Sequence, residues 1–531
     1  MSQRKVFVRD ATGLVRELSF LDQFFISAGI IIAMNGYVGT QLFAPFYFPG
    51  ANLILVGLLG CIPALAMAYI YGKLSAVISR SGGDYVWSTR IVGPLFGAVQ
   101  FTFLFAVTVT FVVFCVWSQF TFALAPAAFA LGVLWNNPSL TSLAVAFNSA
   151  GLGYPLSVVL LLVYLAASLL GLRVCRSLFR VVVPIYFLSN AVFIIMLFSI
   201  NTSTMASLFD HAMSFAGYNA TYTGLAHQAA AAGYTGTQFN LGNTILAAIP
   251  WGFLPFTGFN YGAYLAGETK NVKSSIIKAL TLAVVISIIL IAIMGIMTYV
   301  DFGADFVNAS SYIQATNPSA FPVLPLATTL ISLTNPVVAI LIGIGMFAGW
   351  ITAAVGYIVT LARMVFAASF DSMLPRRFAD VSDRWHSPHW AVALVGIASF
   401  IYLTVYWNYG WAATLLNTSI VLPIGYGLPL VAAAVFPYMK RDMYQRLFGS
   451  MKGALTFTVV ALIGAAAFVF YGFAETFPIS SGMFLGTNLQ LAYEVVLTML
   501  IIGLVIYFTA KLRLSREGIP LASVFQEIPP E

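Results

Sequence analysis

Long apolar runs separated by short polar clusters dominate the chain. With about 20 apolar residues per membrane crossing, they divide it into twelve candidate spans. These lie near 19–48, 52–78, 94–122, 155–171, 181–200, 249–271, 275–300, 334–366, 390–407, 411–436, 453–473 and 488–510. Pro63 marks a kink in the second, and 125–154 reads as a loop with weakly apolar pieces. Two spans are interrupted. The sixth holds Pro250, Pro255 and Gly258, and the first holds Asn35, Gly36, Gly39, Thr40 and Gln41 near its middle. Proline removes a backbone donor, and freed backbone groups at membrane depth need other partners, usually around a protein-enclosed cavity. The pattern predicts breaks in both spans and a binding site between them.

Composition supports the membrane reading. Of 531 residues, 60% are hydrophobic and 8% charged, with mean hydropathy +0.93, whereas soluble domains carry about 25% charged residues. The fold class expected is an all-α polytopic membrane protein. The net charge of +7 does not point to nucleic acid, because the cations sit in short clusters between spans rather than in a basic patch. With the N-terminus inside, all 24 Lys and Arg fall on one side of the membrane. The connections 201–242 and 301–322 contain none. The positive-inside rule then places both termini in the cytoplasm of a multi-pass cell-membrane protein. The charged first 17 residues have no apolar core with a cleavage site, so span 1 is expected to serve as the insertion signal.

Enzymatic chemistry finds little support. His211 and His227 fall in an outside loop and His386 and His389 in an inside one, and no His-Glu-x-x-His or paired carboxylates occur in the spans. Cys61, Cys115 and Cys175 lack paired spacing and His partners, so neither a disulfide framework nor a zinc site is expected. No catalytic residue, metal or cofactor is expected. Triplets at Asn201, Asn219 and Asn308 leave glycosylation open.

The interrupted spans 1 and 6 occupy the same position in two five-span halves. Gly36-Tyr37-Val38-Gly39 has its counterpart in Gly258-Phe259-Asn260-Tyr261-Gly262. Five is odd, so the halves enter from opposite sides and form an inverted repeat, a pointer to a transporter's central site. Residues 1–18 form a cytoplasmic start, 19–200 the first half, 201–242 an outside loop and 243–436 the second half. Two peripheral spans occupy 453–510, and 511–531 is a cytoplasmic tail. Half-helix N-termini offer N–H groups to a carboxylate and free carbonyls accept from an ammonium, so a zwitterion fits.

Four motifs in order now resemble the amino acid–polyamine–organocation permeases. They are Gly36-x-x-Gly39-Thr40-x-Leu42-Phe43, then Arg80-Ser81-Gly82-Gly83-Asp84-Tyr85 with Gly93-Pro94. Next come Phe256-x-Gly258-Phe259 with Gly267-Glu268-x-Lys270-Asn271, and Arg363 followed by Asp371-Ser372-Met373-Leu374-Pro375. The resemblance implies a twelve-helix protein with a five-plus-five inverted-repeat core that works by alternating access. It also implies that an amino acid's carboxylate meets amides around Gly39, Thr40 and Gln41. The amine would meet carbonyls between Trp251 and Thr257, with Tyr37, Phe256 or Phe259 as aromatic gates. Gln41 stands where the family usually has Gly, and Asn260 where an acid is frequent.

Asp84 is expected to cap a short interfacial helix after the Gly-Gly turn. Spans carry almost no ionisable groups, Asp22 and Glu494 being the exceptions considered. A neutral, apolar amino acid is therefore favoured over a cationic amino acid or polyamine, whose charge would lack a carboxylate. A membrane nutrient sensor is a weaker alternative, because neither tail is long. Tyr186 lies near the position where proton-coupled relatives carry a Lys. Thr352 is the sole hydroxyl between Met346 and Gly356, a candidate coupling-ion ligand for sodium. Proton or sodium coupling and electroneutral exchange all stay open, as do monomer and homodimer.

Overall fold

The computed structural model describes residues 14–31, 33–236, 238–410, 420–480 and 489–525. The expected start of span 10, the first residue of span 12, most of the N-terminal segment and the end of the tail lie outside the described residues. Those described form helices and connecting turns, with two isolated bridges, Leu18 with Thr269 and Ser81 with Leu265.

The first apolar run becomes two helices, α1 (Phe20–Ile30) and α2 (Ala33–Tyr47). Ser19 starts α1 through a capping box, its hydroxyl accepting from the Asp22 N–H while the Asp22 carboxylate accepts from the Ser19 N–H. Asn52 caps α3 (Leu53–Val77), its side-chain oxygen accepting from the Ile54 and Leu55 N–H groups. The short α4 (Asp84–Ile91) precedes α5 (Pro94–Leu134), which passes through a π turn at Gln119–Leu124. Next come α6 (Pro138–Phe147), α7 (Gly153–Leu169), α8 (Leu172–Leu197), α9 (Thr202–Phe215), α10 (Tyr222–Ala231) and α11 (Leu241–Ala248).

The later helices are α12 (Val272–Phe302), α13 (Ala304–Thr316), α14 (Ala327–Ser332), α15 (Pro336–Phe370), α16 (His389–Tyr409) and α17 (Leu422–Met439). They end with α18 (Arg441–Phe448), α19 (Ala454–Ser480), α20 (Leu489–Arg516) and α21 (Leu521–Val524).

Among the described residues, ten segments are long and apolar enough to cross a membrane. Of the other two expected spans, the fourth is α7, an apolar helix of 17 residues, and the sixth is no continuous helix. The loop expected at 125–154 is instead largely helical, as the end of α5 and α6. Pro138 occupies the first turn of α6, where a missing N–H costs nothing, and Pro126 follows directly on the π turn of α5. Exposed Val159, Leu162, Val181, Leu188 and Ile195 leave apolar faces on α7 and α8, as lipid contact requires.

The packing centres on the interrupted pair. α3 runs along α12, α8 along α15, and α17 against α5, while α19 and α20 pack outside on α17 and α5. The ion pairs gather at one end. Glu17 with Arg173, Asp22 with Arg180, Asp371 with Arg90, Glu268 with Arg363 and Glu517 with Arg376 lie at the end that carries both chain termini.

Candidate functional site

The first interruption falls at Ile31, one turn or more before the expected 35–41. Ile31 is extended, with φ −65° and ψ 110°, and α2 starts at Ala33 and runs through all of the glycines. Ile30, Ile31 and Ile32 are consecutive β-branched residues, which hold a helix poorly. Gly36 and Gly39 are used for close packing instead. A Cβ on Gly36 would stand 2.5 Å from the Pro255 Cα, and one on Gly39 would stand 2.7 Å from the Leu254 side chain. The amides of Gly39, Thr40 and Gln41 are helix interior, where N–H groups bond four residues back. The helix-end amides, which have no helical partner, belong instead to the first turn of α2.

Other groups satisfy the backbone freed at this break. The Met34 N–H donates to the Tyr186 hydroxyl at 3.0 Å. The Asn35 side-chain amide donates to the Met346 carbonyl at 3.0 Å, and Thr352 Oγ1 donates to Gly29 O at 2.7 Å and Gly349 O at 2.8 Å. Tyr186 and Asn35 were not among the expected site residues. Their signal was weak, one phenol and one amide on otherwise apolar helices. Thr352 joins the end of α1 to α15, and its hydroxyl occupies the carbonyl that a cation would use.

The second interruption is longer. After α11 the chain passes through 3-10 turns at Leu254–Phe256, Phe259–Tyr264 and Ala266–Glu268. Gly258 lies between the first two with φ +101°, a conformation L side chains rarely adopt, and a Cβ there would meet the Ile30 side chain at 2.2 Å. The two interruptions therefore touch. Thr40 Oγ1 donates to Trp251 O at 2.6 Å, and Gln41 Oε1 accepts from the Ala327 N–H at 3.1 Å. Thr257 Oγ1 donates to Leu254 O at 2.8 Å. Tyr37, Phe256, Phe259 and Asn260 are all buried. Among the described residues, neither polar atom of the Asn260 amide has a hydrogen-bond partner.

The ends of this crossing are closed differently. Away from the termini, the Trp251 ring stacks on Phe43 at 4.7 Å and on Tyr47 at 5.7 Å between centroids. These three rings, more than Tyr37, Phe256 or Phe259, form the stacked set over that side. Ser311 Oγ donates to Leu42 O at 2.6 Å beneath it. At the terminus-bearing end, the N–H groups of Glu17 and Leu18 donate to Glu268 O at 2.9 Å, and the Lys270 N–H donates to Leu18 O at 2.8 Å. Gln23 Nε2 donates to Thr269 Oγ1. Arg363 grips the Glu268 carboxylate with Nε at 3.0 Å and Nη2 at 3.2 Å, both side chains buried. Arg90 grips Asp371 in the same forked fashion, also buried.

Buried ionisable groups are thus more numerous than the expected near-absence. Arg363 lies in the apolar α15 and Glu475 in α19, both buried, and Asp84 is buried as well. Hydropathy averaged over a span hides a single charge whose partner is distant in sequence. Asp84 is also not a helix cap. Gly83 holds the cap position, and the Asp84 carboxylate accepts from Tyr71 Oη at 2.7 Å and Tyr264 Oη at 2.5 Å. Glu494 is exposed and accepts from Gln490. Asn308 is buried, out of reach of glycosylation. No group of three or more His, Cys, Asp or Glu is arranged to hold a metal among the described residues.

The two interruptions thus touch inside a bundle of membrane-type helices. Comparison with curated proteins gives no match. A family model described as amino acid permease matches residues 18–506, and the chain belongs to that transporter family.

Proposed function

We propose that this multi-pass permease is a secondary active transporter of a neutral, apolar amino acid, bound between the two interruptions and moved by alternating access. The observation that carries the reading is the direct contact of the broken segments, Gly36 against Pro255 and Gly258 against Ile30. The first-turn amides of α2 would receive the carboxylate and carbonyls between Trp251 and Thr257 the ammonium. Gly36, Thr40 and Gly258 shape the walls, and Tyr37, Phe256 and Phe259 supply apolar surface. Trp251 closes one side.

The helix pairings support an inverted repeat within twelve spans. The second helices of the two halves, α3 and α12, pack together, and the fifth of each half packs on the third of the other, as α8 on α15 and α17 on α5. Gathering every described cation at one end supports cytoplasmic termini.

The buried acids nearest the site favour a neutral substrate, since Glu268 is held by Arg363 and Asp84 by two phenols. Counterflow in proteoliposomes with a ligand panel tests this. Leucine-like amino acids should exchange best, and preference for arginine or putrescine would overturn it. Asn260→Asp should admit cationic ligands, and an unchanged ligand ranking would make Asn260 a packing residue.

A further inference from the structure

The Asp84 carboxyl stands apart from its neighbours. Asp22, Glu268 and Asp371 each hold an arginine. Asp84 is fully buried, and among the described residues its carboxylate meets two phenols and no cation. A buried carboxylate without a counter-ion is costly. Two buried amides adjoin this cluster. Gln100 lies beside the carboxyl and Asn260 beside the Tyr71 hydroxyl. Both are fully buried, and among the described residues all four of their polar side-chain atoms lack a hydrogen-bond partner. Orphaned buried amides are rare enough to require an explanation.

One added proton resolves both anomalies. A new O–H bond on Asp84 donates to Gln100 Oε1. The Tyr71 hydroxyl, whose acceptor oxygen now carries that proton, turns its own hydrogen to Asn260 Oδ1. Tyr264 keeps the second carboxyl oxygen. No bond between heavy atoms changes, and the proton comes from water and returns to it. We propose that Asp84 is the coupling-proton site of this transporter, linked through Tyr71 to Asn260 in the second interruption, so that proton and amino acid travel together. The proposal rests on the transport reading above. Proton binding orders Asn260 and so favours substrate binding in the adjoining segment, and by linkage substrate favours the proton.

The surroundings fit this role. The phenols facing the site are Tyr71 on α3, Tyr264 and Tyr261 on the 3-10 turn, and Tyr426 on α17. Arg90 on α4 itself is committed to Asp371, and Arg363 on α15 to Glu268. Arg80 lies over the Phe370 ring. Burial pushes the Asp84 carboxyl up to about 6, against Tyr264, Tyr71 and the Gln100 amide, which pull it down. Water reaches Asp84 when the terminus-bearing seal opens.

The test uses the full chain in proteoliposomes and whichever neutral amino acid gives the strongest counterflow. Wild type should accumulate it when the outside is made acidic. Asp84→Asn should lose this accumulation, while exchange at equal pH persists and becomes insensitive to pH. Accumulation by Asp84→Asn at the wild-type level would overturn the proposal, as would a wild type driven by sodium and indifferent to a proton gradient. If Asp84→Asn does not fold, Tyr71→Phe removes a hydrogen bond to the carboxylate and the link to Asn260. It should raise proton affinity about tenfold, moving the acid limb of the exchange profile up by about one pH unit, and an unmoved limb refutes the assignment. Absence of any amino acid counterflow in wild type at every pH would instead sink the transport reading itself.

Discussion

The two ends of the central crossing are shut by different chemistry. At the terminus-bearing end, the buried pairs Glu268–Arg363 and Asp371–Arg90 sit above a main-chain clasp between Leu18 and the segment around Glu268. At the other end, Trp251 is stacked with Phe43 and Tyr47, and the buried acids there include Asp301 and Glu475. Rings can slide apart in small steps, each exposing some apolar surface. A buried ion pair cannot be half open, because separated charges in a dry interior are far costlier than the paired or the fully hydrated state. If the crossing opens as proposed, the ionic end is expected to behave as a two-state latch and the aromatic end as a graded lid.

The sharpest way to break this comparison is to remove one charge. Arg363→Met leaves Glu268 buried without its partner and should cost about 3–5 kcal/mol, read as thermal unfolding in detergent. The double variant with Glu268→Met should recover most of it. If the single variant unfolds like wild type, the pair is not a latch.

The opposite end should respond to shape before charge. A Cβ on Gly252 would stand 2.0 Å from the Val56 carbonyl oxygen. Gly252→Ala should therefore cost about 1–3 kcal/mol by overpacking and slow exchange, whereas a silent substitution would mean that segment is loosely held. Phe43→Leu keeps apolar volume but removes the ring stack. A loss of about 0.5–1.5 kcal/mol is expected, with faster labelling of a cysteine placed beneath the lid. Unchanged labelling would detach the rings from gating.

The smallest effect belongs to the outer ion pair. The Arg173 hydrogen bond holds the Glu17 carboxyl below its ordinary value of 4.5, against a partial desolvation that raises it. A depressed acid stabilises the fold above the unfolded pKa and loses that contribution as pH falls through the folded value. Arg173→Ala should therefore match wild type in acid, and near neutral pH its exposed guanidinium should matter little. A large loss of thermal stability at neutral pH would show that the pair belongs to the latch.

Most of the framework was legible in the residues. The apolar runs marked the long helices, and Pro250, Pro255 and Gly258 marked an interruption that the structure contains. Gly36 and Gly39 misled, because a glycine that permits close approach looks the same in sequence as one that breaks a helix. Tyr186 and Asn35 gave no periodic signal, since each matters through a single backbone group on another helix. Asp84 looked like a cap because Asp after Gly-Gly commonly is one. Its phenol partner Tyr264 lies 180 positions away.

Hydropathy and charge by themselves determined the membrane class, the run of helices and the end at which cations collect. These are local properties, set by solvation residue by residue along the chain. Tertiary structure alone decided that the first break falls at Ile31, that Arg363 meets Glu268 across 95 residues and Arg90 meets Asp371 across 281, and that Asp84 is buried with no cation on it among the described residues. Each of these depends on which group from a distant helix arrives to satisfy a freed amide or a buried charge, and no local pattern encodes that arrival.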